Sequence, residues 1–368
     1  MCNWRGYDQP SVPKPESSST MRRFVVWMYA PNNPQWSIPS TSIARIRKAL
    51  GDGWEVESIE VTLDATGDGV RVTPPELLEA IADAEIYCGW GIRQDVFDVA
   101  KGLRWFHSGA AGVRASLFDE MRASDVIFTN SADMYSEPLA EHALATILYF
   151  TRGLDVAVRA QAKVRWAQED LTNPRSPLMT GRPAGEIAGA TLGIIGYGGI
   201  GSALGRRAHA LGMEVQAIRR TPGALPPELT RIENPAYLPK LLESSDFIVI
   251  AAPDTTETGQ LIGKTELALI RPTAVLISLT RGSLIDDEAL VQALRKRRLR
   301  GAALDVFQRE PLPVDHPFWK LDNVLITPHV GGTSARFWDR QTGLIISNIR
   351  RYLSGEELRN KVDKERGY

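Results

Sequence analysis

Near the middle of the chain an apolar strand pattern, Thr191-Leu192-Gly193-Ile194-Ile195, runs into Gly196-Tyr197-Gly198-Gly199-Ile200-Gly201 and then into a helical pattern. A bare G-x-G-x-x-G is common by chance, whereas strand, glycines, helix and a second strand in that order are much rarer. In this setting Gly196 permits a tight turn and Gly198 lets the backbone approach a pyrophosphate. Gly201 lets helix and sheet pack closely, with Gly199 and Ile200 opening the helix at whose N-terminus the phosphates sit.

Strand and helix signals alternate on both sides of this turn, which implies parallel sheets covered on both faces. After it the strand patterns are Glu214–Ile218, Asp246–Ala252, Ala274–Leu279, Ala302–Phe307 and Val324–Thr327. With Leu192–Ile195 they make six strands, the number of a full doubly wound dinucleotide domain. Before it, Phe24–Tyr29, Val56–Val61, Ile86–Trp90, Leu103–His107 and Val126–Thr129 alternate with helical runs such as Ser42–Leu50 and Pro75–Ala82. The expected fold is therefore α/β with two doubly wound domains: a flavodoxin-like substrate domain, a Rossmann dinucleotide-binding domain and a cleft between them. Residues 1–20, rich in proline and serine, read as a disordered leader, and Met21 before the first strand reads as the true start of translation. Residues 21–130 form the substrate domain, 131–334 the cofactor domain and 335–368 a helix returning to the substrate domain. One long helix is expected from Glu137 to about Val164, followed by a polar crossover arm, Asp170–Pro183.

Composition narrows the partners. Lysine plus arginine (43) nearly balance aspartate plus glutamate (44), so no global field would hold the chain to nucleic acid or an anionic membrane. No apolar run approaches the roughly 18 residues of a membrane span, and the first 20 residues lack the apolar core of a secretory signal. Cys2 and Cys88 lie far apart, which suits a reducing compartment without a disulfide, and a cytoplasmic location is expected. No histidine and cysteine spacing suggests a metal site, and no G-x-S-x-G elbow suggests a hydrolase.

Three further residues lie at strand ends, where open parallel sheets place their ligands. Arg281 follows Ile277-Ser278-Leu279-Thr280, Glu310 follows Ala303-Leu304-Asp305-Val306-Phe307-Gln308-Arg309, and His329 follows Ile326-Thr327-Pro328. Different strands carry them, yet all three should converge on one crevice. A histidine suits proton transfer near neutrality. A glutamate hydrogen-bonded to its second ring nitrogen would favour the protonated ring and fix its orientation. An arginine presents a permanently charged planar fork matched to a carboxylate.

These motifs, with Asn130-Ser131-Ala132, Ala140-Glu141-His142-Ala143-Leu144, Thr280-Arg281-Gly282, Glu310-Pro311-Leu312 and Pro328-His329 in the same order, make the chain resemble the D-isomer specific 2-hydroxyacid dehydrogenase family, nearest to its glyoxylate/hydroxypyruvate reductase-like members. The resemblance implies hydride transfer between a nicotinamide and a 2-keto or 2-hydroxy acid, with Arg281, Glu310 and His329 catalytic. It implies that Asp305 contacts the nicotinamide carboxamide and that Gly331, Gly332, Pro253 and Leu279 lie against the cofactor. It places substrate recognition on the loop Ser108–Val113, at Ala111 and Gly112, facing Arg281, with Trp90 as a pocket wall or a core residue. Trp105 and Phe106 are open in the same way. The long helix and its arm resemble the family's dimerisation region, so a homodimer is expected. The rival reading is a dinucleotide-sensing, corepressor-like or scaffold protein of the same fold, which would need none of the three catalytic residues. His142, His107, His209 and His316 read as structural.

Two departures from the pattern bear on ligands. About 20 residues past the glycines, where an acidic residue usually meets the NAD ribose, the chain has Arg219-Arg220. Two arginines suit the 2′-phosphate of NADP, so NADP is the expected cofactor, with NAD as the weaker alternative. Arg114 stands where many relatives carry aspartate after Gly-Val, which leaves the identity of the acid open.

Overall fold

The computed structural model describes residues 21–368 apart from 32, 63–64, 67–68, 174–184 and 222. The expected leader with Cys2, and most of the expected crossover arm, lie outside the described residues. In the N-terminal unit the strands are β1 (Arg22–Trp27), β2 (Trp54–Ser58), the short hairpin β3 (Ala65–Thr66) and β4 (Gly69–Val70), β5 (Ala84–Gly89), β6 (Trp105–Ser108) and β7 (Ile127–Thr129). Apart from the hairpin they form one parallel sheet in the order β2-β1-β5-β6-β7. That is the flavodoxin-like order, with its reversal between β1 and β5. Trp105 and Phe106 are buried in this sheet's core, so neither walls a pocket. Cys88 is also fully buried, and burial pushes its thiol pKa up, which leaves it a core residue.

The second sheet has seven strands: β8 (Thr191–Ile195), β9 (Glu214–Ile218), β10 (Arg231–Glu233), β11 (Phe247–Ile250), β12 (Val275–Ser278), β13 (Gly301–Leu304) and β14 (Val324–Ile326). All are parallel, in the order β10-β9-β8-β11-β12-β13-β14. The sequence reading gave six. The missed strand, Arg231-Ile232-Glu233, is an edge strand held on one side by β9, and an edge position does not require the apolar run that marks β11, Phe247-Ile248-Val249-Ile250. Strand order reverses between β8 and β11, which opens a crevice at their carboxyl ends.

The long helical pattern is two helices, Ser136–Thr151 and Leu154–Ala162. The break falls at Gly153, which takes a left-handed φ of 65° that glycine adopts without steric cost. The helix Ser136–Thr151 packs along the helix Gly199–Ala210, and the last long helix, Phe337–Ser354, returns to lie against the helix Ser40–Leu50 of the first unit. No helix among the described residues is long and apolar enough to cross a membrane.

One buried ion pair fixes the second helix to the sheet. Arg300, just before β13, donates from Nη2 to both carboxylate oxygens of Asp155 at 3.0 and 2.8 Å, and its guanidinium lies 5.6 Å from the Phe150 ring. Both side chains are buried, so removing one leaves the other charge without its partner in a poorly solvated site. Asp155→Ala should destabilise the fold by about 3–5 kcal/mol, read as a fall in the denaturant midpoint at unchanged m. Asp155→Leu combined with Arg300→Met should recover most of that loss. A midpoint that hardly moves in the single variant would show that the pair does not hold this helix.

Candidate active site in the cleft

A cavity of about 1500 Å³ lies between the two sheets and is lined from both units. On the cofactor side its floor is the glycine turn. Gly196 has φ of 99°, and a Cβ there would meet the Ala252 backbone nitrogen at 2.6 Å, so only glycine fits between β8 and the chain leaving β11. A Cβ on Gly201 would strike the Gly196 carbonyl oxygen, which accounts for the close approach of helix and turn. Gly198 differs, since a Cβ on it would meet no described atom within 4 Å. Its backbone therefore faces open cavity at the N-terminus of a twelve-residue helix, the arrangement a pyrophosphate needs. Gly199, Ile200, Pro253, Leu279 and Gly332 line the same cavity, whereas Gly201 and Gly331 stand behind it as packing and loop residues.

Arg219 and Arg220 both line the cavity beyond β9. The Nε of Arg219 is buried and has no hydrogen-bond partner among the described residues. That orphaned donor fits an anionic group absent from the chain itself. Arg220 pairs with Glu257 and lies 5.5 Å from the Tyr368 ring. The sequence showed no acid near these arginines, because Glu257 arrives from the loop after β11, distant in the chain.

The three strand-end residues converge as expected. Arg281 follows β12, and its Nη1 donates to the Thr280 carbonyl at 2.7 Å. Gly282 after it has no room for a Cβ against the backbone of Phe307 and Gln308, which seats the arginine's turn on the loop leaving β13. Glu310 lies on that loop. Its Oε1 accepts from the Phe307 amide at 3.0 Å and its Oε2 lies 2.8 Å from Nδ1 of His329. Burial alone would raise the Glu310 pKa, but the His329 hydrogen bond, the charges of His329 and Arg281 and the Phe307 amide outweigh it and hold the group below its ordinary value. The carboxylate is therefore ionised at neutral pH. With Nδ1 engaged, Nε2 is the ring nitrogen left to exchange a proton.

Asp305 holds the histidine's loop. Its Oδ1 accepts from the Thr327 hydroxyl at 2.6 Å and the Val330 amide at 3.0 Å, its Oδ2 accepts from the Gly331 amide at 2.9 Å, and its carbonyl accepts from the His329 amide at 2.9 Å. Asp305 is only 1 % exposed and does not line the cavity. The structure thus gives it a positioning role in place of the expected contact with the carboxamide, because it stands behind the cavity wall with both carboxylate oxygens engaged. His329 itself takes φ of 54°, a left-handed conformation uncommon for a residue with a Cβ. The same network reaches His142, whose Nε2 lies 3.3 Å from the Thr327 hydroxyl.

Across the cleft, Ala110, Ala111, Gly112 and Val113 line the cavity. A Cβ on Gly112 would collide with the Arg281 guanidinium, so the loop backbone and the arginine meet directly. Asn130 and Ser131 pin this loop, Asn130 donating to the Ala111 carbonyl at 2.8 Å and the Ser131 amide to that of Ala110 at 3.2 Å. This gives the Asn130-Ser131 motif a physical task that sequence reasoning had not assigned. Arg114 spans the cleft to Asp254, with Nη1 3.0 Å from both carboxylate oxygens. Trp90 both lines the cavity and packs in the first unit's core, donating from Nε1 to the Trp36 carbonyl at 2.9 Å. His107 is buried against Thr129 and Gln341, away from the cavity, and burial pushes it down to about 3, so it stays neutral. Among the described residues no cluster of His, Cys, Asp and Glu is arranged to hold a metal.

Comparison with known proteins agrees with this geometry. Residues 144–331 match the family model described as the D-isomer specific 2-hydroxyacid dehydrogenase NAD-binding domain. A glyoxylate reductase of Thermococcus onnurineus is 32 % identical over 323 residues, covering 86 % of this chain and 92 % of the relative. Among solved structures, a D-isomer specific 2-hydroxyacid dehydrogenase from Xanthobacter autotrophicus, in complex with NADPH and MES, superposes with a TM-score of 0.73 at 29 % identity, over 94 % of this chain and 99 % of that one. An NADPH-dependent glyoxylate/hydroxypyruvate reductase from Sinorhizobium meliloti, in complex with NADP and malonate, superposes at 0.70 with 26 % identity, over 95 % and 98 %. This chain belongs to the D-isomer specific 2-hydroxyacid dehydrogenase family, and is an oxidoreductase acting on CH–OH donors that binds a nicotinamide dinucleotide.

Proposed function

We propose that the protein works as an NADPH-preferring reductase of 2-keto acids, with Arg281, Glu310 and His329 as its catalytic residues. The observation that carries this reading is the ionised Glu310 bonded to Nδ1 of His329 in a cavity that also holds Arg281. A bound nicotinamide dinucleotide supplies the hydride. Arg281 and the amides of the Ala111-Gly112 loop grip the carboxylate of the acid, and the arginine's charge also favours the oxygen that becomes negative. His329, oriented through Nδ1 by the Glu310 carboxylate, gives that oxygen its proton from Nε2. The names of the relatives, glyoxylate reductase above all, point to small 2-keto acids as acceptors.

Cofactor preference rests on the unpartnered Arg219 Nε and on Arg220, which would trade Glu257 for a 2′-phosphate. The complexes of two structural neighbours with NADPH or NADP support it. In this reading the unit of residues 21–130 and 335–368 closes on the unit of residues 131–334. Val158, Val164 and Trp166, all exposed, make the segment after the helix break an apolar face suited to a second copy of the chain, and we read the protein as a homodimer.

Replacing His329 with Ala should lower turnover of NADPH and a 2-keto acid by about 10²–10⁴-fold while NADPH binding, followed by fluorescence titration, survives. Loss of NADPH binding in that variant would make His329 structural. Arg219→Ala should reduce the ratio of kcat/KM for NADPH to that for NADH by about tenfold or more. An unchanged ratio would remove Arg219 from the assignment.

A further inference from the structure

We infer that the acceptor this pocket fits is a 2-keto acid carrying a planar, apolar side chain on the carbon beyond the ketone, a deduction that rests on the reductase reading above and narrows it. Of the seven aromatic residues that line the cavity containing Arg281 and His329, four stand together: Trp36, Trp90, Tyr135 and Phe337. They form a continuous ring chain. Trp36 and Trp90 have centroids 5.6 Å apart, Trp90 stacks on Phe337 at 6.0 Å with planes 17° apart, and Tyr135 lies 5.3 Å from Phe337.

The chain sits next to the carboxylate grip rather than elsewhere in the cleft. Gly109, on the same loop as Gly112, lies close under the Trp90 ring, which a Cβ there would meet at 3.1 Å, and Tyr135 donates from its hydroxyl to the Gly109 carbonyl at 2.9 Å. A Cβ on Gly332, three residues past His329, would meet the Tyr135 ring at 2.8 Å. The wall therefore touches both the loop that faces Arg281 and the loop that carries the proton donor.

It is also rigid before any acid arrives. Trp90 donates to the Trp36 carbonyl, and Trp338, edge-on to Trp90, donates from Nε1 to the Pro34 carbonyl at 3.3 Å, so the segment bearing Trp36 is tied at two points. Trp90 and Phe337 are buried and back the half-buried Trp36 and Tyr135, which present the accessible ring surface. Glyoxylate, an aldehyde with only a hydrogen on its carbonyl carbon, leaves that surface against water. A flat apolar group covers it without reordering side chains, which turns hydrophobic burial and ring contact into affinity.

The test is kcat/KM of the full chain at saturating NADPH for glyoxylate, pyruvate and phenylpyruvate, in the wild type, Trp36→Ala and Trp36→Phe, with NADPH titration reporting that each variant is folded. Phenylpyruvate should exceed glyoxylate by about tenfold or more. The phenylpyruvate-to-glyoxylate ratio should fall by a similar factor in Trp36→Ala and recover in Trp36→Phe. Turnover of glyoxylate with phenylpyruvate equal or poorer, or a ratio unmoved by Trp36→Ala, overturns the inference and leaves the reductase reading standing. Turnover of none of the three acids overturns both.

Discussion

The site depends on one buried carboxylate. Asp305 closes β13 and gathers the Thr327 hydroxyl and the amides of Val330 and Gly331, and its own carbonyl takes the amide of His329. A histidine at φ of 54° holds its conformation only where the surroundings over-determine it, and these four hydrogen bonds do so. Once the loop is fixed, Glu310 from the neighbouring loop reaches Nδ1 and fixes the ring's orientation. The strain and the proton chemistry are thus two consequences of one arrangement.

Much of this was legible in the sequence because it is carried by residues whose chemistry allows few substitutes. Glycine at 196 and 201 is forced by backbone contacts, and Arg281, Glu310 and His329 each sit at the end of an apolar strand run that the sequence marks. The illegible parts depend on distance in the chain. Glu257 beside Arg220, Asn130 beneath Ala111, and Trp36 and Phe337 on either side of Trp90 are brought together only by the fold. The edge strand Arg231–Glu233 lacked a signal because an edge asks for little apolar sequence, and the break at Gly153 was hidden because the helical pattern runs on across it. Trp90, for which the sequence left wall or core open, is buried in the first unit's core and also lines the cavity.

The two units contribute unlike parts. The seven-stranded sheet supplies the glycine turn, Arg281 and His329. The five-stranded sheet supplies the amide loop and the aromatic wall. Gly112 against Arg281 and Arg114 against Asp254 show the units in contact across the cleft. The second pair is worth little as an ion pair, because Arg114 is largely exposed, so the close approach of Gly112 to Arg281 is the tighter contact across the cleft.

The central claim is that the ionised Glu310 carboxylate, bonded to Nδ1, orients His329 and leaves Nε2 for the proposed reduction. Because the Glu310 pKa is depressed, its charge is present at neutral pH and is lost only as pH falls through that lowered value. Protonation of Glu310 removes the charge that holds the ring, so kcat/KM for keto acid reduction should hold through neutrality and fall at acid pH, below the ordinary carboxylate range. The measurement is that pH profile for the wild type and for Glu310→Gln. The account predicts that this acid limb is absent in Glu310→Gln, whose kcat/KM is also lower than that of the wild type at neutral pH. Superimposable profiles would contradict it.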